Sequence, residues 1–240
     1  MNFILYTITL RKEKISFWLK LLTVSVSLSG LILSFFSAQA DGYSHWSKRL
    51  MYFTSQSNVW IILIFTAILI FEAVSKNKQA NTENLLYLLK FVFTVSITLT
   101  AIVFCALLAP FSHRNGYNAW TASSIMTHVI TPTLAVFDLF YGKAPMQIKK
   151  HHALYSAIPP LLYLVFTSIL CILKVDFGRG DPYPYFFMNY YSPAGVFGFS
   201  DVMPFAIGSF YWMLLILGIV LSVSFCYACL LNKRIKETDA

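Results

Sequence analysis

The sequence predicts an all-α fold, a bundle of six membrane-spanning helices, and three observations predict it. Of its 240 residues, 58% are hydrophobic and only 12% charged, about half the charged share of an ordinary soluble domain. The mean hydropathy is +0.66. The apolar residues come in six runs, each near the roughly 20 residues that a helix needs to cross a bilayer. They lie at about 15–37, 51–74, 86–109, 119–141, 152–174 and 203–231. The connections are short except the one from Val175 to Val202, so residues 1–240 read as a single integral membrane domain with no soluble domain appended.

The first run follows "RKEK" and ends in "SAQA" before Asp41, which resembles a signal-peptidase site. Cleaved signals carry an apolar stretch of about 7–15 residues, and this one is longer, so it reads as a retained helix. The opening "MNFILYTITL" is apolar but too short to span, and is expected along the membrane interface. Ser25-x-x-x-Ser29 and Gly30-x-x-x-Ser34 have the small-residue spacing of close helix contacts. The second run opens on "YFTSQSNVW", five polar side chains at the mouth of an oily segment. The third carries Thr94, Thr98 and Cys105 on one stripe, a candidate wall for a site. The fourth holds "SSIMTHVITPTLAVFDLFYG". The 175–202 connection is rich in Tyr, Phe, Pro and Gly, fit either for an aromatic belt at the headgroups or for a lid over a site. The sixth run contains "CYAC".

The net charge of +8 is not a nucleic-acid footprint, because its lysines and arginines sit at alternate connections. Eleven fall on one side (Arg11, Lys12, Lys14, Lys76, Lys78, Lys143, Lys149, Lys150, Lys233, Arg234, Lys236) and four on the other (Lys48, Arg49, Arg114, Arg179). Positive charge marks the cytoplasmic side. Both termini are therefore expected in the cytoplasm, most simply of a cell membrane. Cys105, Cys171, Cys226 and Cys229 all lie inside apolar runs, where they read as small buried apolar residues rather than metal ligands. Nothing in the pattern calls for a metal, a cofactor or an obligate protein partner. The implied partner is the bilayer and a lipid within it.

Ionisable residues inside a membrane are expensive and point to function. The candidates are His128, Asp138 and Glu72; Lys20, Lys90 and Lys174 lie near helix ends, where long side chains snorkel. Thr121, Ser124, His128, Thr131, Ala135 and Asp138 repeat at steps of three and four and so share one helix face. Pro132 removes the backbone donor that would reach the carbonyl of His128, so a local defect is expected there. Thr54, Ser57 and Asn58 share a face of the second helix, with Ser55 and Gln56 directed elsewhere. The second and fourth helices run in the same direction, so these polar faces can meet.

A hydroxyl and a neutral histidine facing one pocket have the chemistry of nucleophilic catalysis: the histidine takes the hydroxyl's proton, and amide or hydroxyl donors hold the developing oxyanion. His128 is the candidate base, the hydroxyl it would activate is left open among those on the second helix, and Asn58, Ser57 and Gln56 are the candidate donors. No carboxylate third member lies at that depth. "YFTSQSNVW" also resembles a signature of the androgen-induced-protein family of membrane threonine hydrolases and its bacterial six-span relatives. "HVITPTLAVFD" resembles that family's second signature and "PYPYFF" its Tyr-Pro-Phe segment. The resemblance implies a six-span hydrolase of fatty-acyl esters, such as fatty acid esters of hydroxy fatty acids, with Thr54 as nucleophile and His128 as base. The chain departs from it after Thr54, where Ser-Gln-Ser-Asn replaces a more apolar stretch. Two other readings fit the composition: a proton-coupled transporter using His128, Asp138 and Glu72 as a relay, and a non-catalytic lipid-binding protein.

Overall fold

The computed structural model describes residues 2–74, 79–110, 112, 118–178 and 180–239, with side chains from residue 12 to residue 237. Six helical spans cross its length: Lys12–Ser37, Phe53–Val74, Ala80–Leu108, Ala122–Tyr141, Lys150–Ile172 and Ser209–Glu237. The chain is an integral multi-pass membrane protein, all-α, with a lone Phe199–Ile207 bridge as the only β pairing among the described residues. The first span starts and the sixth ends beside the end of the fourth, at one end of the bundle. The connections after the first, third and fifth spans lie at the other, called the loop end below.

The element boundaries depart from the sequence expectation at four places, one being the third span, which starts at Ala80 rather than near 86. The opening stretch continues the first helix, which runs unbroken from Asn2 to Ser37, rather than lying along an interface. The fourth span begins at Ala122 because the Thr121 hydroxyl accepts from the backbone N–H of Ser124 and caps it there. The sixth begins at Ser209, not near 203. Residues 198–208 fold back on themselves instead, with Ser200 donating to the Ala206 carbonyl at 3.0 Å and Gly208 to that of Gly198 at 2.9 Å.

The third span is the most buried of the six and packs against the second, fourth and sixth. Phe91, Val95, Leu99 and Leu139 form the centre of the largest apolar cluster. The first span closes the other side, against the second and fourth. Gly30 permits this approach. A Cβ there would come within 2.8 Å of the Thr127 methyl and 2.9 Å of Met126 Cβ, so Gly30 serves close packing as expected, whereas Ser25 and Ser29 are exposed and do not. The fifth and sixth spans are tied together at the terminal end, where the Ser224 hydroxyl reaches the Ala153 carbonyl at 2.8 Å and Ser156 at 3.0 Å.

Lys20 and Lys90 do not snorkel. They are 4% and 3% exposed and close on Asp138, which is fully buried. Lys90 Nζ lies 2.6 Å from Asp138 Oδ2, and the Ser16 hydroxyl donates to Oδ1 at 2.6 Å. Lys20 Nζ donates to Ser16 at 2.8 Å and meets Glu72 at 3.1 Å. Two lysines and two carboxylates thus neutralise one another, which is what a low-dielectric interior demands. Glu72 is exposed in the last turn of the second span, the solvated helix end expected, and from there it reaches in to pair with Lys20. The cysteines depart from expectation as well: Cys171 is buried, but Cys105, Cys226 and Cys229 are exposed on the bundle surface, and all four are free thiols. Among the orienting charges, Lys76, Lys78, Arg114, Arg179 and the side chain of Arg11 lie outside the described residues.

Removing one partner of a buried ion pair leaves its mate uncompensated. Asp138→Asn is expected to cost about 3–5 kcal/mol of stability, read as a lower thermal unfolding midpoint in detergent. The double variant Lys90→Met/Asp138→Leu should recover part of that loss, since it strands no charge at this position.

Candidate active site

Thr54 lies in the first turn of the second span and His128 in a π-helical turn, Met126–Ile130, of the fourth. That turn follows from Pro132. The N–H of Thr131 bonds to the carbonyl of Met126, and residue 132 has no N–H to give. The carbonyl of Thr127 therefore has no backbone donor. The local defect expected beside Pro132 is present as a widened turn at His128, of the kind that recurs at functional sites.

Asn58 supplies the missing donor. Its Nδ2 donates to the Thr127 carbonyl at 3.2 Å and to the Thr54 carbonyl at 2.8 Å, and its Oδ1 accepts from the Ser27 hydroxyl at 2.8 Å. One amide thus joins the first, second and fourth spans. The Ser57 hydroxyl meets Thr100 at 2.9 Å and donates to the Thr54 carbonyl at 3.0 Å. Asn58 and Ser57 are both fully buried and their hydrogen-bonding capacity goes into joining helices. Gln56 turns away to the Leu50 carbonyl at 3.2 Å. None of the three candidate oxyanion donors bonds to the Thr54 hydroxyl, which instead meets His128.

The Thr54 hydroxyl donates to His128 Nε2 at 3.1 Å. On the far side of the ring, Nδ1 donates to the Ser124 carbonyl at 2.9 Å. The Thr127 hydroxyl lies 3.1 Å from Nδ1 and has committed its own proton to the Ser123 carbonyl. Nδ1 is therefore the protonated nitrogen, and Nε2 offers its lone pair to Thr54. Phe104, in a second π-helical turn ending the third span, stacks on the imidazole with centroids 4.0 Å apart and fixes its plane. The face of the fourth helix behaves as its spacing predicts: Ser124 and His128 line the site, while Thr131, Ala135 and Asp138 are buried below it.

Thr54 and His128 are half-buried and line a cavity of about 530 Å³ at the loop end. Its mouth carries Arg49, which donates to Asp41 and lies over the Tyr43 ring at 4.1 Å. Ser55 lines the cavity too, although helical spacing directs it away from Thr54. The second span is packed on both flanks, against the first and the third, so a residue rotated off the Thr54 face is still inside the bundle. The wall contributed by the third span is Phe104 and Leu108, not the stripe of Thr94, Thr98 and Cys105; Thr98 bonds back to Thr94 at 2.8 Å and Cys105 faces outward.

The 175–202 connection divides its work. Its first half caps the cavity with Phe177, Tyr183, Pro184, Tyr185 and Phe186. The 38–52 segment holds it in place, through Lys48 Nζ donating to the Asp176 carbonyl at 2.6 Å and Ser44 N–H to that of Gly178 at 2.9 Å. Gly178 is required there. Its φ of +120° and the Tyr43 ring against its α-carbon leave no place for a side chain. Burial of the Asp176 carboxyl raises its pKa, but the N–H groups of Gly178 and Gly180 and the Lys48 ammonium outweigh it, and the carboxyl titrates lower than usual. The second half, including Tyr191, Phe197 and Phe199, is exposed and suits a headgroup belt.

Tyr185 is the site residue that spacing arguments missed. It lines both the cavity and the adjoining space together with Thr54, and burial pushes its pKa up to about 12. It therefore remains a proton donor in the cavity that Thr54 lines. Only its place in "PYPYFF" hinted at a role. Comparison with family models, with curated proteins and with solved structures returns no match.

Asn58→Ala would leave the Thr127 carbonyl buried without a donor, at a cost of about 1–3 kcal/mol. It should lower the unfolding midpoint in detergent. Gln56→Ala, which loses a bond at the surface, should stay within about 0.5 kcal/mol of the parent.

Proposed function

We propose that the chain is an intramembrane lipid-ester hydrolase in which Thr54 is the nucleophile and His128 the general base. The 3.1 Å contact between the Thr54 hydroxyl and His128 Nε2 carries this reading. Thr54 attacks the acyl carbonyl and its proton passes to Nε2. The imidazolium so formed is held by the Ser124 carbonyl at Nδ1, in the place where other triads put a carboxylate. Tyr185 donates to the oxyanion. His128 then returns the proton to the departing alkoxide. A water entering from the cavity, deprotonated by the same nitrogen, releases the acid and restores Thr54.

The resemblance to the androgen-induced-protein family supports the same pair and implies long-chain fatty-acyl esters, including fatty acid esters of hydroxy fatty acids. The transporter reading draws less support. Asp138 and Glu72 are neutralised by Lys90 and Lys20, which leaves neither carboxylate poised to pass a proton to His128. The charge asymmetry further supports a cell-membrane protein with both termini cytoplasmic and the catalytic cavity on the opposite face. A reporter fused after Ala240 should then be active only on the cytoplasmic side.

Residues that act as one unit give non-additive losses. With a chromogenic acyl ester, Thr54→Ala and His128→Ala should each abolish turnover, and the double variant should be little worse than either. Thr54→Ser should keep some rate because the hydroxyl survives. A fully active Thr54→Ala protein would sink the mechanism. Tyr185→Phe should lower kcat about 10²-fold, the scale of one lost oxyanion donor, without unfolding the protein.

A further inference from the structure

Thr54 borders two spaces. One is the wide cavity, whose lining includes Arg49, Asp41, Asp181, Asn118 and Ser124 as well as His128. The other is a narrow slot of about 60 Å³ between the third, fifth and sixth spans, on the opposite side of the nucleophile. Thr54, Leu108 and Tyr185 are common to both. Beyond them the slot is walled by side chains such as Phe53, Leu99, Val103, Phe187, Met213 and Ile216. Two further lining residues carry hydroxyls, and both are engaged: Thr100 meets Ser57 at 2.9 Å, and Tyr163 donates to the Met51 carbonyl at 3.1 Å. A ligand in the slot therefore finds hydrocarbon and no free hydrogen-bonding side chain.

The slot exists because of how the bundle is tied. The fifth and sixth spans are joined at the terminal end through Ser224, while at the loop end the 185–188 segment fills in between them and the third span. Its rim, at Pro160, Leu164, Met213 and Ile216, is half-buried and partly open to the flank of the bundle. The lining includes Met188 and Met213, whose unbranched side chains adapt to the shape of what they pack against.

Resting on the hydrolase reading, we propose that this slot is the acyl-chain site. The ester lies across Thr54 with its fatty-acyl tail between the third, fifth and sixth spans and its alcohol portion in the wide polar cavity. The bonds follow that partition. Thr54 Oγ1 forms a bond to the acyl carbon as the carbon–alkoxide bond breaks, and the alkoxide takes the Thr54 proton from His128 and leaves through the cavity. The acyl group stays on Thr54 with its tail in the slot. Water then arrives on the His128 side, its oxygen bonds to the acyl carbon, and Thr54 recovers a proton from Nε2 as the acid is freed. Chain length is consequently read on the acyl side, and the alcohol side tolerates polar and bulky groups.

The test compares kcat/KM for p-nitrophenyl acetate, butyrate, decanoate and palmitate in detergent micelles. Met213→Trp narrows the rim, Met213→Ala widens it, and Leu214→Trp alters an exposed neighbour outside the lining. The ratio of decanoate to acetate should fall at least about tenfold in Met213→Trp, the scale on which apolar pockets discriminate by methylenes. It should hold or rise in Met213→Ala and stay at the parent value in Leu214→Trp. Parallel chain-length profiles in all four proteins would overturn the assignment. A Thr54→Ala protein photolabelled with a decanoyl ester bearing a mid-chain diazirine separates this from the hydrolase reading. Crosslinks at Leu99, Val103 or Ile216 that Met213→Trp suppresses support the slot even if no ester is turned over. Crosslinks confined to exposed bundle faces refute it even if esters are hydrolysed.

Discussion

The site is built on one carbonyl that the backbone cannot satisfy. Pro132 removes a donor and the Thr131 N–H is spent on Met126, so the carbonyl of Thr127 is left over inside a bundle where water is scarce. In such surroundings an unpaired polar group is costly, and the Asn58 amide meets the need at 3.2 Å. Because the same nitrogen also holds the Thr54 carbonyl, the bond that heals the fourth helix fixes the start of the second helix against it. The distance between the Thr54 hydroxyl and His128 is a consequence of that joint. A helix that opens "FTSQSN" is thus accounted for by division of labour: Asn58 and Ser57 join helices, Ser55 lines the cavity and Thr54 faces the imidazole.

The same accounting separates the two polar regions of the bundle. At the terminal half, Lys20, Lys90, Asp138 and Glu72 cancel one another and Ser16 completes the set. At the loop end the polar groups are incompletely consumed. Thr54 and His128 are half-buried and border a cavity roofed by the 177–186 segment. Reactivity belongs where the polar groups still face open space, and rigidity where they do not.

Much of this was legible in the sequence. Six apolar runs gave the bundle, and the three-and-four spacing around His128 gave a face that the structure keeps. That polar faces of the second and fourth helices could meet was visible from their common direction, and the resemblance of "YFTSQSNVW" singled out Thr54 on one of them. The failures have physical causes. Helical spacing assumes 3.6 residues per turn, and the π turns at 104–108 and 126–130 shift that phase, which misplaced the wall of the third span. A lysine's reach hides whether it snorkels or folds inward, so Lys20 and Lys90 were misjudged until Asp138 was seen beside them. Asn58 was read as an oxyanion donor because its type suits that work, and only geometry reveals that its hydrogens are already given. Tyr185 sits in a loop with no periodicity, so nothing local says that it folds back over the cavity that Thr54 lines.

The central claim is that Thr54 is the reactive hydroxyl, made so by His128. Covalent labelling tests it most directly. The purified protein would be treated with an alkyl fluorophosphonate, which phosphonylates activated hydroxyls, then digested and read by mass spectrometry. Thr54 should carry the adduct in the parent protein and much less of it in His128→Ala. In Thr54→Ala the adduct should be absent. An adduct on Ser55 or Ser57 with Thr54 unmodified, or equal labelling of Thr54 with and without His128, would contradict the account.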